Sequence, residues 1–346
     1  MLWNLCRGEP SIHAMTKTIE LAPGLTPVRT AAIPIINIAP LLAGDMSPAA
    51  AIGSACREVG FFYITNHGIP SSVIDEVYKQ AKRFFDLPVA EKEKYAIDRS
   101  TCHRGWFRLG EENLDPARQT QTGDFKEGFK IGRDLPLSHE RVKAGLPLHG
   151  PDIWPDLPGW QPVMQDYYDR MVALGTLLLR AFAVALALPP TYFDAWLDVP
   201  MTTLGPLHYP PQTGLITPAR LGAGAHTDYG CLTLLHQDSA GGLQVQAQDG
   251  RWLEAPPVPG SFVVNIGDMM ERWTNGVFRS TLHRVINISG RDRYALPFFF
   301  DPDFYAPVSC LPTCLPTGEQ PKYPPTTAGQ HLLDMINTAF KYRSDA

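Results

Sequence analysis

The chain lacks long apolar runs and has little excess of charge of either sign. Its 346 residues carry 30 Lys and Arg against 35 Asp and Glu, for a formal net charge of −5. A nucleic-acid-binding protein is expected to show a basic patch, and a membrane-spanning helix needs about 20 consecutive apolar residues. The most apolar long segment, residues 171–188, is interrupted by Arg180, which favours a buried helix. The composition therefore predicts neither nucleic acid nor a membrane as a partner.

Cysteine is scarce, and the beginning of the sequence has no features of a secretory signal. The six cysteines show no repeating spacing, which is typical of reduced thiols in a cytoplasmic protein. Cys310 and Cys314 form a C-x-x-x-C pair, but no second pair accompanies them, so we favour free thiols over a metal site. Residues 1–14 have no basic start, apolar centre or cleavage site, and Met15 is an alternative first residue. We expect a cytoplasmic protein.

A β-rich segment lies between helical segments. Alternating apolar residues predict strands at 33–38 and within "GFFYIT", and helix signals predict helices at 48–59, 71–85 and 160–188. Residues 99–160 show little periodicity and are interpreted as a long connection. Short strand-like runs with Asn-Gly and Asp-Gly turns fill residues 201–301 and indicate an antiparallel sandwich or barrel.

The sequence contains no boundary between independent domains, so we expect one compact unit. Its predicted parts are an N-terminal extension with little order (1–30), a mixed N-terminal region (31–155), a long helix and connector (156–200), a β core (201–305) and a C-terminal loop and amphipathic helix (306–346).

The stretch "GAHTDYG" places His226 and Asp228 two residues apart. In an extended segment such residues project to the same face, and an imidazole with a carboxylate suits a divalent metal. A third ligand would complete one face of an octahedron. His283, in the strand-like run "FRSTLHRVIN", is the best candidate, whereas His236 and His331 have no second ligand near them in the sequence.

A charged residue follows these candidates at the head of an apolar strand. Arg293 opens "RYALPFFF", and a guanidinium beside an apolar interior needs an anion, for which the carboxylate of a bound organic acid is suitable. A zinc hydrolase could use the same histidines and aspartate, but it would need a Glu beside the ligands and would leave Arg293 unexplained. A binding module without catalysis would have no need of intact ligands.

The ordered motifs resemble those of the iron(II)- and 2-oxoglutarate-dependent oxygenases, in the branch that contains isopenicillin N synthase and the plant hormone and flavonoid dioxygenases. The resemblance covers most of the chain and is carried by "IPIINIAPLL", "CREVGFFYITNHGIP", "LHYPPQ", "GAHTDYGCLTLLHQDSAGGLQV", "NIGDMMERWTNGVFRSTLHRV" and "RYALPFFF". It implies a mainly β core, a double-stranded β-helix or distorted jelly roll, with flanking helices that buttress it.

The same resemblance implies a cofactor, two cosubstrates and a set of site residues. They are Fe(II), 2-oxoglutarate and O₂, used to oxidise, most often to hydroxylate, a small-molecule substrate by a protein that we expect to be monomeric. Matching by motif assigns the iron ligands His226, Asp228 and His283, the 2-oxoglutarate-binding residues Arg293 and Tyr209, and the substrate contacts Phe299 and Arg104.

Ala295 departs from the family pattern. The family has Arg-x-Ser where this sequence has Arg293-Tyr294-Ala295, so one hydroxyl that assists the arginine is absent. The bacterial ethylene-forming enzymes resemble the sequence in having alanine there. An ethylene-forming reaction and an isopenicillin N synthase-type oxidation without 2-oxoglutarate are therefore alternatives to hydroxylation.

Overall fold

Two β-sheets pack face to face in the computed structural model, which describes residues 19–28 and 33–339. The major sheet has nine strands and the minor sheet four. One apolar cluster joins them, because it combines Phe61, Tyr209 and Ala295 of the major sheet with Ala223 and Val285 of the minor sheet.

The strands are β1 (Ile19–Leu21), β2 (Ile35–Asn37), β3 (Phe61–Thr65), β4 (Gly105–Phe107), β5 (Glu127–Lys130), β6 (Thr203–Leu204), β7 (Leu207–Tyr209), β8 (Gly214–Ile216), β9 (Ala223–His226), β10 (Leu232–Gln237), β11 (Leu243–Gln246), β12 (Trp252–Glu254), β13 (Ser261–Ile266), β14 (His283–Val285), β15 (Arg293–Phe300), β16 (Pro307–Val308) and β17 (Thr326–Thr327). The major sheet runs β2-β3-β13-β10-β15-β7-β5-β4, with β6 also paired to β15, and the minor sheet runs β12-β11-β14-β9.

The α-helices are α1 (Ala39–Leu42), α2 (Ala49–Glu58), α3 (Ser71–Phe85), α4 (Val89–Lys92), α5 (Glu140–Lys143), α6 (Trp160–Ala185), α7 (Asp268–Trp273) and α8 (Ala328–Ala339). Short 3₁₀ turns occupy Glu93–Tyr95, Ile97–Arg99, Asp194–Trp196 and Pro312–Cys314. Within residues 19–28 and 33–339, no helix is long and apolar enough to cross a membrane.

Helix α6 buttresses the major sheet. It packs against α2, α3 and β15. The approach to β15 is close, because a Cβ added to Gly175 would lie 2.2 Å from a ring carbon of Phe300. The helix ends three residues before the predicted Leu188. Ala187 adopts a positive φ of 57°, and the residue preceding a proline is disfavoured in the helical region, so the chain turns before Pro189.

Two segments contribute more structure than the sequence indicated. Residues 99–160, interpreted as a connection, supply β4 and β5, which extend the major sheet beyond β7. In the predicted N-terminal extension, β1 pairs in parallel with β8, and Leu25 is buried beside Ile216. Residues 1–18 of that extension, including Met15 and Cys6, lie outside the described residues, as do residues 29–32 and 340–346.

Candidate active site

Three ligand-type side chains converge at one end of the minor sheet. His226 is the last residue of β9 and His283 the first of β14, and the two are direct partners across the antiparallel pair. Asp228 lies two residues beyond the end of β9. Its Oδ1 is 3.7 Å from Nε2 of His226 and 3.6 Å from Nε2 of His283. Among the described residues, no other group of three or more His, Cys, Asp and Glu forms such a cluster.

Backbone carbonyls fix the orientation of both imidazoles. Nδ1 of His226 donates to the carbonyl of Gly224 at 2.7 Å, and Nδ1 of His283 donates to the carbonyl of Thr281 at 3.1 Å. With the proton on Nδ1, Nε2 of each ring is unprotonated, and its lone pair is available to a metal ion. The arrangement is therefore suited to holding a metal ion among the three side chains.

Asp228 is held by residues from the neighbouring major sheet. Its Oδ2 accepts hydrogen bonds from Thr233 Oγ1 at 2.5 Å and from Asn265 Nδ2 at 2.7 Å. Burial raises the pKa of this carboxyl, but the neighbouring His283 and His226, which are protonated only at acidic pH, and these hydrogen bonds outweigh it, and the pKa is lowered. The carboxylate is therefore ionised at neutral pH with Oδ1 directed at the imidazoles.

Burial also sets the protonation of the histidines. It lowers the pKa of His283 to about 4, with a further contribution from the neighbouring His226, and it lowers the pKa of His226 as well. Neutral imidazole is the form that binds a metal, so both rings are in that form at pH 7.

Arg293 places an unpaired guanidinium in the same cavity. The side chain is fully buried, and its Nε donates to the carbonyl of Gly241 at 2.5 Å. The two terminal nitrogens, Nη1 and Nη2, have no hydrogen-bond partner among the described residues. Tyr209 lies opposite Arg293 in the β7–β15 pair, with its ring centroid 4.5 Å from the guanidinium carbon. Because a buried guanidinium is costly without an anion, this donor pair fits a carboxylate.

The two predicted substrate contacts, Phe299 and Arg104, differ in whether the side chain is already held by other residues of the protein. Phe299, on β15, is half-buried and lines the cavity. Arg104 also lines it, but its guanidinium is engaged in the wall: Nε lies 3.2 Å from Oδ1 of Asp152, and an Nη donates to the carbonyl of Leu148 at 3.1 Å. Arg104 therefore shapes the wall and has little capacity left for a ligand.

Other polar residues have structural partners. Nδ1 of His67 accepts the backbone N–H of Ile69. Asp268 accepts the hydroxyl of Thr227, which lies between two of the ligand candidates. The Cys310 and Cys314 thiols are free.

Sequence reasoning missed a group of buried charges on the cavity wall. Glu112, Lys126 and Lys130 line the same cavity as the histidines. The signal lay in residues 124–130, "DFKEGFK", where Asp124, Lys126, Gly128 and Lys130 alternate with period two, as side chains on one face of a strand do. The Gly, Pro and isolated charges of residues 99–160 indicate a connection, whereas this alternation indicates a strand.

The opposite face of the same strands carries a histidine bridge. His208, on β7, has Nδ1 2.8 Å from Glu127 Oε1 and Nε2 2.7 Å from Asp292 Oδ1. Its ring stacks on Tyr294 with the centroids 4.9 Å apart. Burial lowers the pKa of His208, but the hydrogen bonds and charges of the two carboxylates outweigh it, and the pKa is raised. The bridge ties β5, β7 and the start of β15 together behind Tyr209 and Arg293.

Two family descriptions match the chain. Residues 33–157 match the N-terminal region of the non-haem dioxygenases described for morphine synthesis, and residues 203–302 match the 2OG-Fe(II) oxygenase superfamily. A 2-oxoglutarate-Fe(II) type oxidoreductase of Emericella nidulans is 38% identical over 322 residues, covering 89% of each chain. A homoarginine-6-hydroxylase of Oryza sativa is 35% identical and covers 89% of this chain and 98% of its own.

Solved structures agree with these relatives. A full-length Neurospora crassa protein in complex with alpha-KG and thymine has a TM-score of 0.77 at 30% identity, covering 88% of this chain and 96% of that one. A 2OG-Fe(II) oxygenase family protein of Caulobacter crescentus has a TM-score of 0.78 at 32% identity, covering 89% and 99%. The predicted jelly roll with flanking helices is thereby confirmed. The chain belongs to the iron(II)- and 2-oxoglutarate-dependent oxygenases, enzymes that couple the oxidative decarboxylation of 2-oxoglutarate to the oxidation of a substrate.

Proposed function

We propose that His226, Asp228 and His283 hold the Fe(II) of this enzyme. The donor set fits: two neutral imidazoles present Nε2 and one ionised carboxylate presents Oδ1, all directed at a common point. Two histidines and one carboxylate form the set that non-haem iron oxygenases use. Fe(II) bound there would supply the activation of O₂.

Arg293 and Tyr209 are proposed to bind the distal carboxylate of 2-oxoglutarate. The observation that carries this assignment is the fully buried guanidinium whose two terminal nitrogens lack partners among the described residues and face the cavity that the iron ligands line. A bidentate guanidinium–carboxylate pair would neutralise the arginine and fix the orientation of the cosubstrate. Ala295 contributes no hydroxyl, so the arginine carries more of the binding here than in relatives with serine.

Hydroxylation is the outcome we propose for the substrate. One 2-oxoglutarate, one O₂ and one substrate C–H bond give succinate, CO₂ and a substrate C–OH, with one oxygen atom in each oxidised product. The Oryza relative carries the name of a hydroxylase, and the Neurospora structure holds thymine, which supports a small-molecule substrate. Phe299 would offer a ring face to that substrate, and Arg104 would shape the adjoining wall.

The remaining expectations concern organisation and location. We propose one compact monomeric unit with a mixed region at 31–155, a connector helix at 156–200, the catalytic β core at 201–305 and a C-terminal region at 306–346. We further propose that it works in the cytoplasm without nucleic acid or membrane as a partner. Five cysteines that form no disulfide and the near-balance of charge support this proposal.

An anaerobic titration tests the site. Adding 2-oxoglutarate to the Fe(II)-loaded protein should produce a weak visible absorption, and admitting O₂ should yield succinate. His226→Ala should abolish both, whereas His139→Ala, at a histidine outside the cavity, should keep both. If iron binds but 2-oxoglutarate neither changes the spectrum nor is consumed, the oxidase alternative replaces ours. Ethylene in the headspace in place of hydroxylated product would favour the ethylene-forming reaction.

A further inference from the structure

Asp301 follows β15 directly and lies on the face of that strand that lines the cavity. Side chains alternate between the two faces of a strand. Arg293, Pro297 and Phe299 line the cavity, whereas the even-numbered residues of β15 pack in the main apolar core. Asp301 continues this alternation two residues beyond Phe299 and also lines the cavity. Its carboxyl group therefore shares the cavity with the proposed iron ligands.

One carboxylate oxygen of Asp301 holds the turn between β9 and β10. Oδ1 accepts the backbone N–H of Cys231 at 2.7 Å. The carboxyl group also packs closely on Gly230, because a Cβ added to that glycine would lie 2.6 Å from Cγ of Asp301. Glycine at this position therefore admits the carboxyl group to the wall, beside the turn that carries Asp228.

The other carboxylate oxygen of Asp301, Oδ2, is available to a ligand. It has no hydrogen-bond partner among the described residues. Although only 4% of Asp301 is exposed, its neighbours do not seal Oδ2 from solvent, so this oxygen can contact a molecule in the cavity. Anchoring the turn needs only a neutral acceptor, which an asparagine would supply without the cost of burying a charge. The acidic group therefore points to a second role.

The basic side chains of the cavity wall do not neutralise Asp301. They have other partners: Glu112 for Lys126 and Lys130, Asp152 for Arg104 and, as proposed, the cosubstrate for Arg293. Within residues 19–28 and 33–339, Asp301 forms no ion pair. Burial raises its pKa to about 7, the Cys231 N–H opposes this, and the nearby Asp228 adds to it. The carboxyl group therefore lacks a cation within the described part of the chain.

The surroundings of Asp301 suit an organic ligand. Asp301 does not belong to the group of side chains that can hold a metal ion together. Phe299, about 7 Å away along an extended chain, presents a half-buried ring to the cavity. Met201 also lines the cavity, and its backbone N–H donates to the carbonyl of Pro302, next to Asp301. A ligand at Asp301 would therefore meet one carboxylate between apolar surfaces.

We propose that Asp301 determines substrate specificity by binding a cationic nitrogen of the primary substrate, a small organic amine or guanidine with an apolar body. This inference rests on the proposed function, because it assigns the second ligand of the same cavity. Oδ2 accepts a hydrogen bond from the cation while Oδ1 keeps the Cys231 N–H, and the apolar body lies against Phe299 and Met201. The cation would keep the buried carboxylate ionised, just as the cosubstrate carboxylate would neutralise Arg293.

Matched amines, alcohols and acids test this assignment at pH 7, where the amines are protonated. Hexylamine, cyclohexylmethylamine and phenethylamine are each compared with the alcohol and the carboxylate that carry the same hydrocarbon group. Binding to the Fe(II)- and 2-oxoglutarate-loaded enzyme is measured anaerobically by the change in visible absorption, and turnover is measured by stimulated succinate formation. We expect the amines to surpass their alcohols by about 10- to 100-fold in affinity, the range for a hydrogen bond to a charged group.

Asp301→Asn shows whether the carboxylate causes the preference. The amide oxygen can still accept the Cys231 N–H and the side-chain volume is nearly unchanged, so the charge is the main loss. The amine-to-alcohol ratio should fall to near one in this variant. It should remain at the wild-type value in Asp166→Asn, whose carboxylate is exposed on α6. Thermal melting and the absorption that 2-oxoglutarate gives with Fe(II) check that each variant is folded and loaded.

Three outcomes would count against these assignments. An unchanged ratio in folded Asp301→Asn would overturn the inference, since Asp301 would then only anchor the turn. A wild type that binds the alcohols or the carboxylates as tightly as the amines would also overturn it, and this result needs no variant. A wild type in which 2-oxoglutarate neither gives an absorption with Fe(II) nor yields succinate would instead contradict the proposed function itself.

Discussion

Arg293→Met is the sharpest test of cosubstrate recognition, because it removes one guanidinium and keeps most of the side-chain volume. Each of the two terminal nitrogens can donate a charge-assisted hydrogen bond, worth about 1.5–3 kcal/mol. Loss of both should cost at least about 3 kcal/mol, which corresponds to a roughly 100-fold or greater increase in the Kd for 2-oxoglutarate. The true loss is larger if the carboxylate is left buried without a partner.

A second ligand isolates the contribution of the distal carboxylate. 2-Oxopentanoate has the same chain length and the same oxo acid end but lacks the distal carboxylate. The wild type should prefer 2-oxoglutarate over it by about 100-fold, and Arg293→Met should reduce that preference to a few-fold, since a double cycle reports the pairwise interaction. Anaerobic titration of the Fe(II)-loaded protein, followed by visible absorption, gives all four dissociation constants.

A nearby arginine serves as the control. Arg291 is exposed and donates to Ser239 Oγ at 2.7 Å, outside the cavity, so Arg291→Met should retain the full preference. Arg293 also donates to the carbonyl of Gly241, so thermal melting must show that Arg293→Met is folded. Persistence of a preference above about 30-fold in Arg293→Met would refute the reasoning, since less than about 1 kcal/mol would then come from the arginine. Loss of iron binding in that variant would also contradict the assigned role.

Further predictions concern the support of the site and its strands. Asn265→Leu removes one of the two hydrogen bonds to Oδ2 of Asp228 and should weaken Fe(II) binding by about 10-fold or more, measured by competition with a chromogenic chelator; unchanged affinity would contradict it. Gly128→Ala should lower the free energy of unfolding in urea by about 1–3 kcal/mol through overpacking, whereas Gly205→Ala, where the nearest atom would be 3.6 Å away, should cost much less. Since the pKa of His208 is raised in the folded protein, its contribution to stability is complete below about pH 6.5, the usual value for histidine, and is lost as the pH rises through the folded-state pKa. His208→Gln should therefore reduce the melting temperature more at pH 6 than at pH 9, and an equal reduction would count against the bridge.

Local patterns were sufficient to predict the ligand candidates and the arginine. His226 and Asp228 are near neighbours in the sequence, and Arg293 stands at the head of an apolar strand, so each could be noticed without knowledge of any pairing. The helix predicted at 71–85 has the same bounds in the structure, since a proline precedes it. The hydrogen bonds that hold Asp228 could not be predicted from the sequence. They come from Thr233 on β10 and Asn265 on β13, and pairing between strands so far apart is not encoded in the spacing of either.

The buried charges of Glu112, Lys126 and Lys130 on the cavity wall were missed for a different physical reason. A half-buried strand is expected to alternate apolar and polar side chains, with the apolar set facing the core. Lys126 and Lys130 line the cavity, whereas Phe129, on the other face of β5, is fully buried in the main apolar core, so the strand is buried on both faces and has no solvent-facing polar set. The two buried lysines have Glu112, from the preceding loop, as a shared partner. The partner lies in another segment, so the spacing of residues within 124–130 could not predict that lysines buried there would be compensated.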